Sequence, residues 1–352
     1  MTQEMDIPPS GNEAVRPTSE PPPGETPPGR AADAKKVPFI IAGAVLLLQA
    51  LLTAGWQGYL WYDTGLSLTG VPDALLEPHE NPVEFAVLNS TKAVFAVAML
   101  VTALCLFARR RAARSAAVLF GALLLVEGVR EASGVLSPAY EEWLPAELMP
   151  WLRASWAFGL VVAFALFGLM LWARENIDSP RLTRSTYRVG GVLLVVYALL
   201  SVIAFVVSPA ADDVMVFLRM IADPRASGPT MLFGAPYFTS AFGIVAALVL
   251  GVLAMSRKRS VRGAVLVLMS TALYHGFAGL LFGLRGMPWS DADVALHLAN
   301  LLLMPLLAAV ILVLFAKDSD KRAMAARTGT TSDAPRGPAL AGDLGEQHTS
   351  GD

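Results

Sequence analysis

The residues best equipped for chemistry in this chain stand where charge is expensive. In "LLLVEGVREASGVL" (123–136) a hydrophobic run takes in Glu127, Arg130 and Glu131. Positions three and four apart lie on one side of a helix, so a helix here presents all three groups on a common face. Lys92, in "NSTKAVFAV", brings an ammonium group from a second apolar run. Two carboxylates with a guanidinium and an ammonium form ion pairs, hold a charged ligand or exchange protons. "ALYHGFAGLLFG" adds His275, whose imidazole titrates near neutral pH. His297 and Asn300 open a further apolar run and complete the candidate set.

Other chemistries are missing. Cys105, the only cysteine, lies in an apolar run and reads as a buried, inert thiol, so no disulfide framework is expected. His79 falls in an acidic loop and His348 near the C-terminus, and the four histidines show no ligand spacing. Neither haem nor catalytic zinc is expected, and no other cofactor. No P-loop, GxGxxG after a strand, HExxH or Asp-rich pair of the prenyl-diphosphate type occurs.

The elements that must position these groups follow from composition. Hydrophobic residues make up 55% of the 352 and charged ones 16%, against about a quarter charged in soluble domains. The apolar residues come in blocks of about 20, the length that spans a bilayer core as a helix. An all-α integral membrane protein is predicted, with eight transmembrane helices near 38–62, 84–108, 115–136, 154–173, 188–208, 238–256, 263–284 and 297–316. Residues 1–36 are Pro-rich and polar, and 318–352 are similarly biased, so both are expected to be disordered tails. The first carries acids and precedes an apolar run too long for a signal peptide, so it reads as a tail and not a leader. Segments 140–155 and 212–224 alternate apolar with charged residues and read as short interfacial helices.

Charge sets the expected orientation. The two tails with the adjoining Lys317, the 174–188 loop, "RRRAAR" (109–114) and "RKRSVR" (257–262) hold 21 of the 27 Lys and Arg residues. The opposite side carries an acidic first loop and most of the tryptophans, including Trp56, Trp61, Trp143, Trp151 and Trp289. By the positive-inside rule both termini are cytoplasmic, in a multi-pass protein of the cell membrane. Arg-rich, Ala- and Gly-rich usage points to a bacterial source.

An internal repeat organises the spans. At a shift of 148 residues "AGAVLLLQALLT" (42–53) falls on "GGVLLVVYALLS" (190–201), and "RRRAARSAAV" (109–118) on "RKRSVRGAVL" (257–266). The fourth span of each half aligns at a shift of 143, "LWARENID" on "LFAKDSDK". The reading is a duplicated 4+4 bundle, a parallel repeat with its axis along the membrane normal, formed by 37–174 and 188–317. It bears on Glu127, because the run from Ala112 to Val126 alone is short for a span. Glu127 aligns with His275, and 263–284 is apolar apart from scattered Ser, Thr, Tyr and that histidine. If 263–284 spans, so does 115–136, and Glu127 then sits about 10 Å below the outer edge.

Such a charge faces protein or water, not lipid. Lys92 reaches a comparable depth, so a pair with Glu127 or Glu131 is expected, with Arg130 serving the other carboxylate. Glu127 and His275 are expected to approach one another between the two halves. Three functions fit, in this order: binding or transport of a small molecule at an outward-facing polar site; an enzyme using Glu127 and His275 as acid and base on a lipid or isoprenoid-like substrate; an accessory subunit. The partners expected are membrane lipids, a small-molecule ligand and a protein docking on the cytoplasmic tails, with no nucleic acid.

Overall fold

A computed structural model describes residues 36–65, 67, 69, 91–141, 144–173, 184–207, 218–219, 221–226, 229, 236–256, 261–286 and 292–316. Of the expected tails, 1–35 and 318–352 lie outside the described residues, and Lys36 opens the first helix. Among those described, every regular element is helical. The chain runs α1 (Lys36–Asp63), α2 (Thr91–Phe107), α3 (Arg111–Val135), α4 (Met149–Trp172), α5 (Arg184–Val207), α6 (Pro236–Met255), α7 (Arg262–Gly286) and α8 (Ala292–Ala316). Six helices are long and apolar enough to cross a membrane, and Thr91–Phe107 and Leu302–Ala316 are shorter apolar helices. The 28 residues of α1 rise about 42 Å, more than the roughly 30 Å of a bilayer core.

The elements follow from their sequences. Runs of Ala, Leu and Val favour helix, and in lipid only a helix satisfies every backbone group within its own segment. Between α2 and α3 the link is three residues, with Arg109 in the left-handed region (φ 56°). There the Arg110 N–H donates to the Cys105 carbonyl and the Arg109 N–H to Leu106, which closes α2 and turns the chain straight back. Between α3 and α4, Pro138 and Pro145 break the helix into two short 3₁₀ turns, Pro138–Tyr140 and Ala146–Leu148. Residues 149–155, expected as part of an interfacial helix, are instead the opening of α4. Pro150 sits in its first turn, where a missing N–H costs nothing.

Packing forms three apolar clusters. One joins α1 to α4 through residues such as Phe39, Leu46, Met99, Phe120 and Leu166. Another joins α5 to α8 through Leu194, Leu250, Met269, Ile311 and Phe315. The third, around Trp56, Val135, Tyr140 and Leu152, covers the ends of α1, α3 and α4. Leu51, Val101, Val129, Phe164 and Leu171 are well exposed on the outside of the bundle, as surfaces that meet lipid would be. The chain has the build of a polytopic membrane protein.

Helices approach most closely at small residues. Gly43 of α1 lies against Ala103 and Phe107 of α2, and Gly191 of α5 against Gly251 and Met255 of α6. Gly263 of α7 lies against Ala112 and Ser115 of α3, and the Ser115 Oγ accepts the Ala264 N–H at 3.2 Å. A Cβ on Gly263 would overlap the Ala112 carbonyl, a backbone atom that cannot rotate aside. Gly263→Ala should therefore destabilise the protein by about 1–3 kcal/mol. Gly58→Ala, where a Cβ meets nothing within 4 Å, should be neutral or slightly stabilising. Thermal melts of the detergent-solubilised variants check both.

Candidate functional site

The short link between α2 and α3 folds them antiparallel, and Lys92 and Glu127 lie at nearly equal distances along the chain from it. They therefore reach the same height. The Lys92 ammonium pairs with Glu127 Oε1, and both residues are 5% exposed. Beside them, Arg130 Nη1 bonds Glu131 Oε1 at 2.5 Å, a pair of sequence neighbours on α3 itself. Arg130 also donates from Nε to the Ile221 carbonyl at 2.7 Å and stands 5.2 Å from the Phe238 ring centroid. Its guanidinium thus ties α3 to the segment before α6 and to the start of α6.

Glu131 has a further partner that no spacing rule indicates. The Tyr140 hydroxyl donates to Glu131 Oε2 at 2.5 Å from the 3₁₀ turn beyond α3, and Tyr140 is wholly buried. Gly134 permits this, because a side chain there would fill the space of the Tyr140 ring. Burial first, and then the Glu131 carboxylate, push the Tyr140 phenol well above its ordinary 10.0, so it remains a donor. Two indoles brace the same region: Trp56 Nε1 donates to Ser155 Oγ at 3.0 Å, and Trp156 Nε1 to the Gly128 carbonyl at 2.8 Å.

Glu127 lies between two small cavities. Gln49, Thr53 and Trp56 of α1, Lys92 and Phe95 of α2, and Glu127 line the first. Glu127, Gly128 and Glu131 of α3, with Leu152, Trp156 and Gly159 of α4, line the second. In each, about 20 Å³ is open to the centre of a water molecule, enough for a water and too little for an organic solute. Glu127 Oε2 and Gln49 Oε1 are buried and meet no protein donor among the described residues. Two strong acceptors therefore line the first cavity with hydrogen-bonding capacity unspent.

Of the residues singled out in the sequence, the structure brings Lys92, Glu127, Arg130 and Glu131 together. His275 is on α7, half-buried, and lines neither cavity. His297 and Asn300 belong to α8, and their side chains lie outside the described residues. The cavities beside Lys92 and Glu127 are lined by residues of α1 to α4. Among the described residues no group of three His, Cys, Asp or Glu side chains is placed to hold a metal. Gln49, Trp56, Tyr140, Ser155 and Trp156 were not anticipated. Only Gln49 carried a signal, as the one amide within "AGAVLLLQALLT".

No protein-family model, curated protein or solved structure matches the chain.

Breaking the buried pair should be costly, and removing it whole should not. Lys92→Met leaves Glu127 unpaired and should lower stability by about 3–5 kcal/mol. Adding Glu127→Gln should recover most of that loss, a coupling visible in a double-mutant cycle of melting temperatures. Tyr140 adds a pH effect with a definite sign. Its phenol holds its proton more tightly folded than unfolded, so its contribution is complete below pH 10.0 and declines as pH rises above it. The stability gap between the wild type and Tyr140→Phe should be constant up to about pH 10 and narrow beyond it.

Proposed function

We propose that this chain binds or transports a small molecule or ion at a polar site in the outer half of a helix bundle, centred on Lys92 and Glu127. The observation that carries the reading is Glu127 itself. Its carboxylate is paired on one oxygen, unsatisfied on the other and set between two water-sized cavities in an otherwise apolar bundle. An ionisable group retained inside a membrane bundle marks a ligand or proton site by default. The size of the cavities favours a small polar species.

The frame we propose for this site is the duplicated eight-span bundle, 37–174 and 188–317, with both termini cytoplasmic in the cell membrane. Helix ends support it: α2 and α6 stop at Phe107 and Met255, 148 residues apart, and α4 and α8 start at Met149 and Ala292, 143 apart. Close crossings support it as well. Gly43, Ala103 and Phe107 meet at one, and Gly191, Gly251 and Met255, each 148 residues on, meet at the other. Ser115 touches Gly263, its own counterpart, as residues beside a twofold axis do. Leu119 packs on the α5–α8 core while its counterpart Val267 packs on the α1–α4 core.

A second reading, an accessory subunit whose polar residues serve assembly, draws on Arg130, Glu131 and Tyr140, which satisfy one another and clasp three segments. The acid–base enzyme has less behind it, because His275 lines neither cavity beside Glu127. Protein purified in mild detergent and analysed by native mass spectrometry separates the first two. A bound small molecule that is lost in Glu127→Gln, with the fold retained, is the expected result. Protein free of small ligands but bound to a second polypeptide would favour assembly.

A further inference from the structure

The second cavity gives Glu127 somewhere else to go. Glu127 and Glu131 are four residues apart on one face of α3, so a rotation of the Glu127 side chain turns it from the Lys92 cavity into the one that Glu131 lines. Ionised, it has no reason to turn, because it would leave an ammonium to face another carboxylate. Protonated, it gains an O–H donor, and the Glu131 carboxylate, which accepts from Arg130 and Tyr140, is a group of about four acceptor sites. The Lys92 ammonium then needs a new acceptor. Gln49 Oε1 lines the same cavity, belongs to a residue 1% exposed, and has no protein donor among the described residues.

We propose that Glu127 is a proton-exchange carboxyl with two seats, pairing with Lys92 when ionised and turning to Glu131 when protonated, while Gln49 receives the released ammonium. The proposal deepens the site reading above by making the proton the species exchanged there. One proton passes from a hydronium ion to Glu127: an O–H bond of the hydronium breaks and leaves water, the carboxyl O–H forms, and the net charge of the cluster rises by one. Tyr140 keeps its own proton, so it holds Glu131 in place as an acceptor and does not compete for the transferred one.

The groups facing Glu127 are few. From α1 come Gln49, Thr53 and Trp56, all uncharged, and from α2 comes Lys92. Its own helix supplies Arg130 and Glu131. From α4 come Leu152 and Trp156, with Arg153 bonded to the Val135 carbonyl farther out. Asp223, bonded by Arg225 and near Arg219, adds a small upward push to the Tyr140 phenol. On α7, which packs on α3, Arg262 stands at the far end and Tyr274 and His275 line neither cavity.

Infrared difference spectroscopy of the full chain in lipid nanodiscs, titrated with acid, reads this directly. The wild type should show a protonated-carboxyl stretch that is absent in Glu127→Gln. If that variant folds poorly, Lys92→Met with Glu127→Gln removes the pair as a neutral unit and should also lack the band. Gln49→Leu leaves the pair intact but removes the waiting acceptor, so proton uptake should be about tenfold weaker. A band that survives loss of Glu127, a wild type with no titrating band, or equal uptake in Gln49→Leu and wild type would each overturn the proposal. The readout needs no ligand. Loss of the band with a small molecule still bound defeats only the proton exchange, whereas a band without any ligand defeats only the broader binding reading.

Discussion

A charge inside an apolar bundle has to meet its opposite, and the end of the bundle that holds Lys92 and Glu127 is arranged around that requirement. At the centre of a bilayer a lone Lys or Glu costs about 2.5–3.5 kcal/mol, less toward the interface. Lys92 and Glu127 remove that cost together, and in doing so they fix the height of α2 against α3. Arg130 and Glu131 repeat the solution one turn farther out, where each also takes a partner from outside the helix pair. Ion pairing thus sets which loops lie over the bundle end. The Pro138–Tyr140 turn and the segment at Ile221 are held by side chains of α3, not by apolar contact alone.

Elsewhere the helices associate without charge. Lipid chains are as apolar as leucine, so burying leucine gains little, and closeness of backbone does more. Glycines at 43, 191 and 263 supply it, each at a point where two helices nearly touch. Larger residues then fill the space to either side of each crossing. Small-residue crossings and polar clasps are thus two separate devices in one bundle.

Much of this was legible in the sequence because membrane spans leave a strong signal. Block length and the paired basic loops located the helices, and depth along the spans paired Lys92 with Glu127. What escaped notice has physical reasons. Arg130 serves the carboxylate that Lys92 leaves, Glu131, as the shared helix face led one to expect, but its bond to the Ile221 carbonyl comes from a segment that no spacing on α3 points to. Tyr140 follows two breaks in regular structure, at Ser137 and Pro138, and no periodicity carries across such a turn. Its one trace is Gly134, whose meaning depends on where the chain goes next. The cavities beside Glu127 are lined by α1 to α4, and spacing along the chain leaves open which way a side chain turns.

The hydrogen bond from the Ala264 N–H to Ser115 has a temporal side. Ala264 is in the first turn of α7, where backbone donors have no partner within the helix, and a buried orphan costs about 1–3 kcal/mol. The acceptor belongs to α3, which leaves the ribosome long before α7. The hydroxyl that caps α7 is therefore synthesised before α7 itself. Assembly then has a direction built into it: the early helices form the template on which the later ones are seated, and synthesis in the reverse order would leave α7 uncapped until the last step.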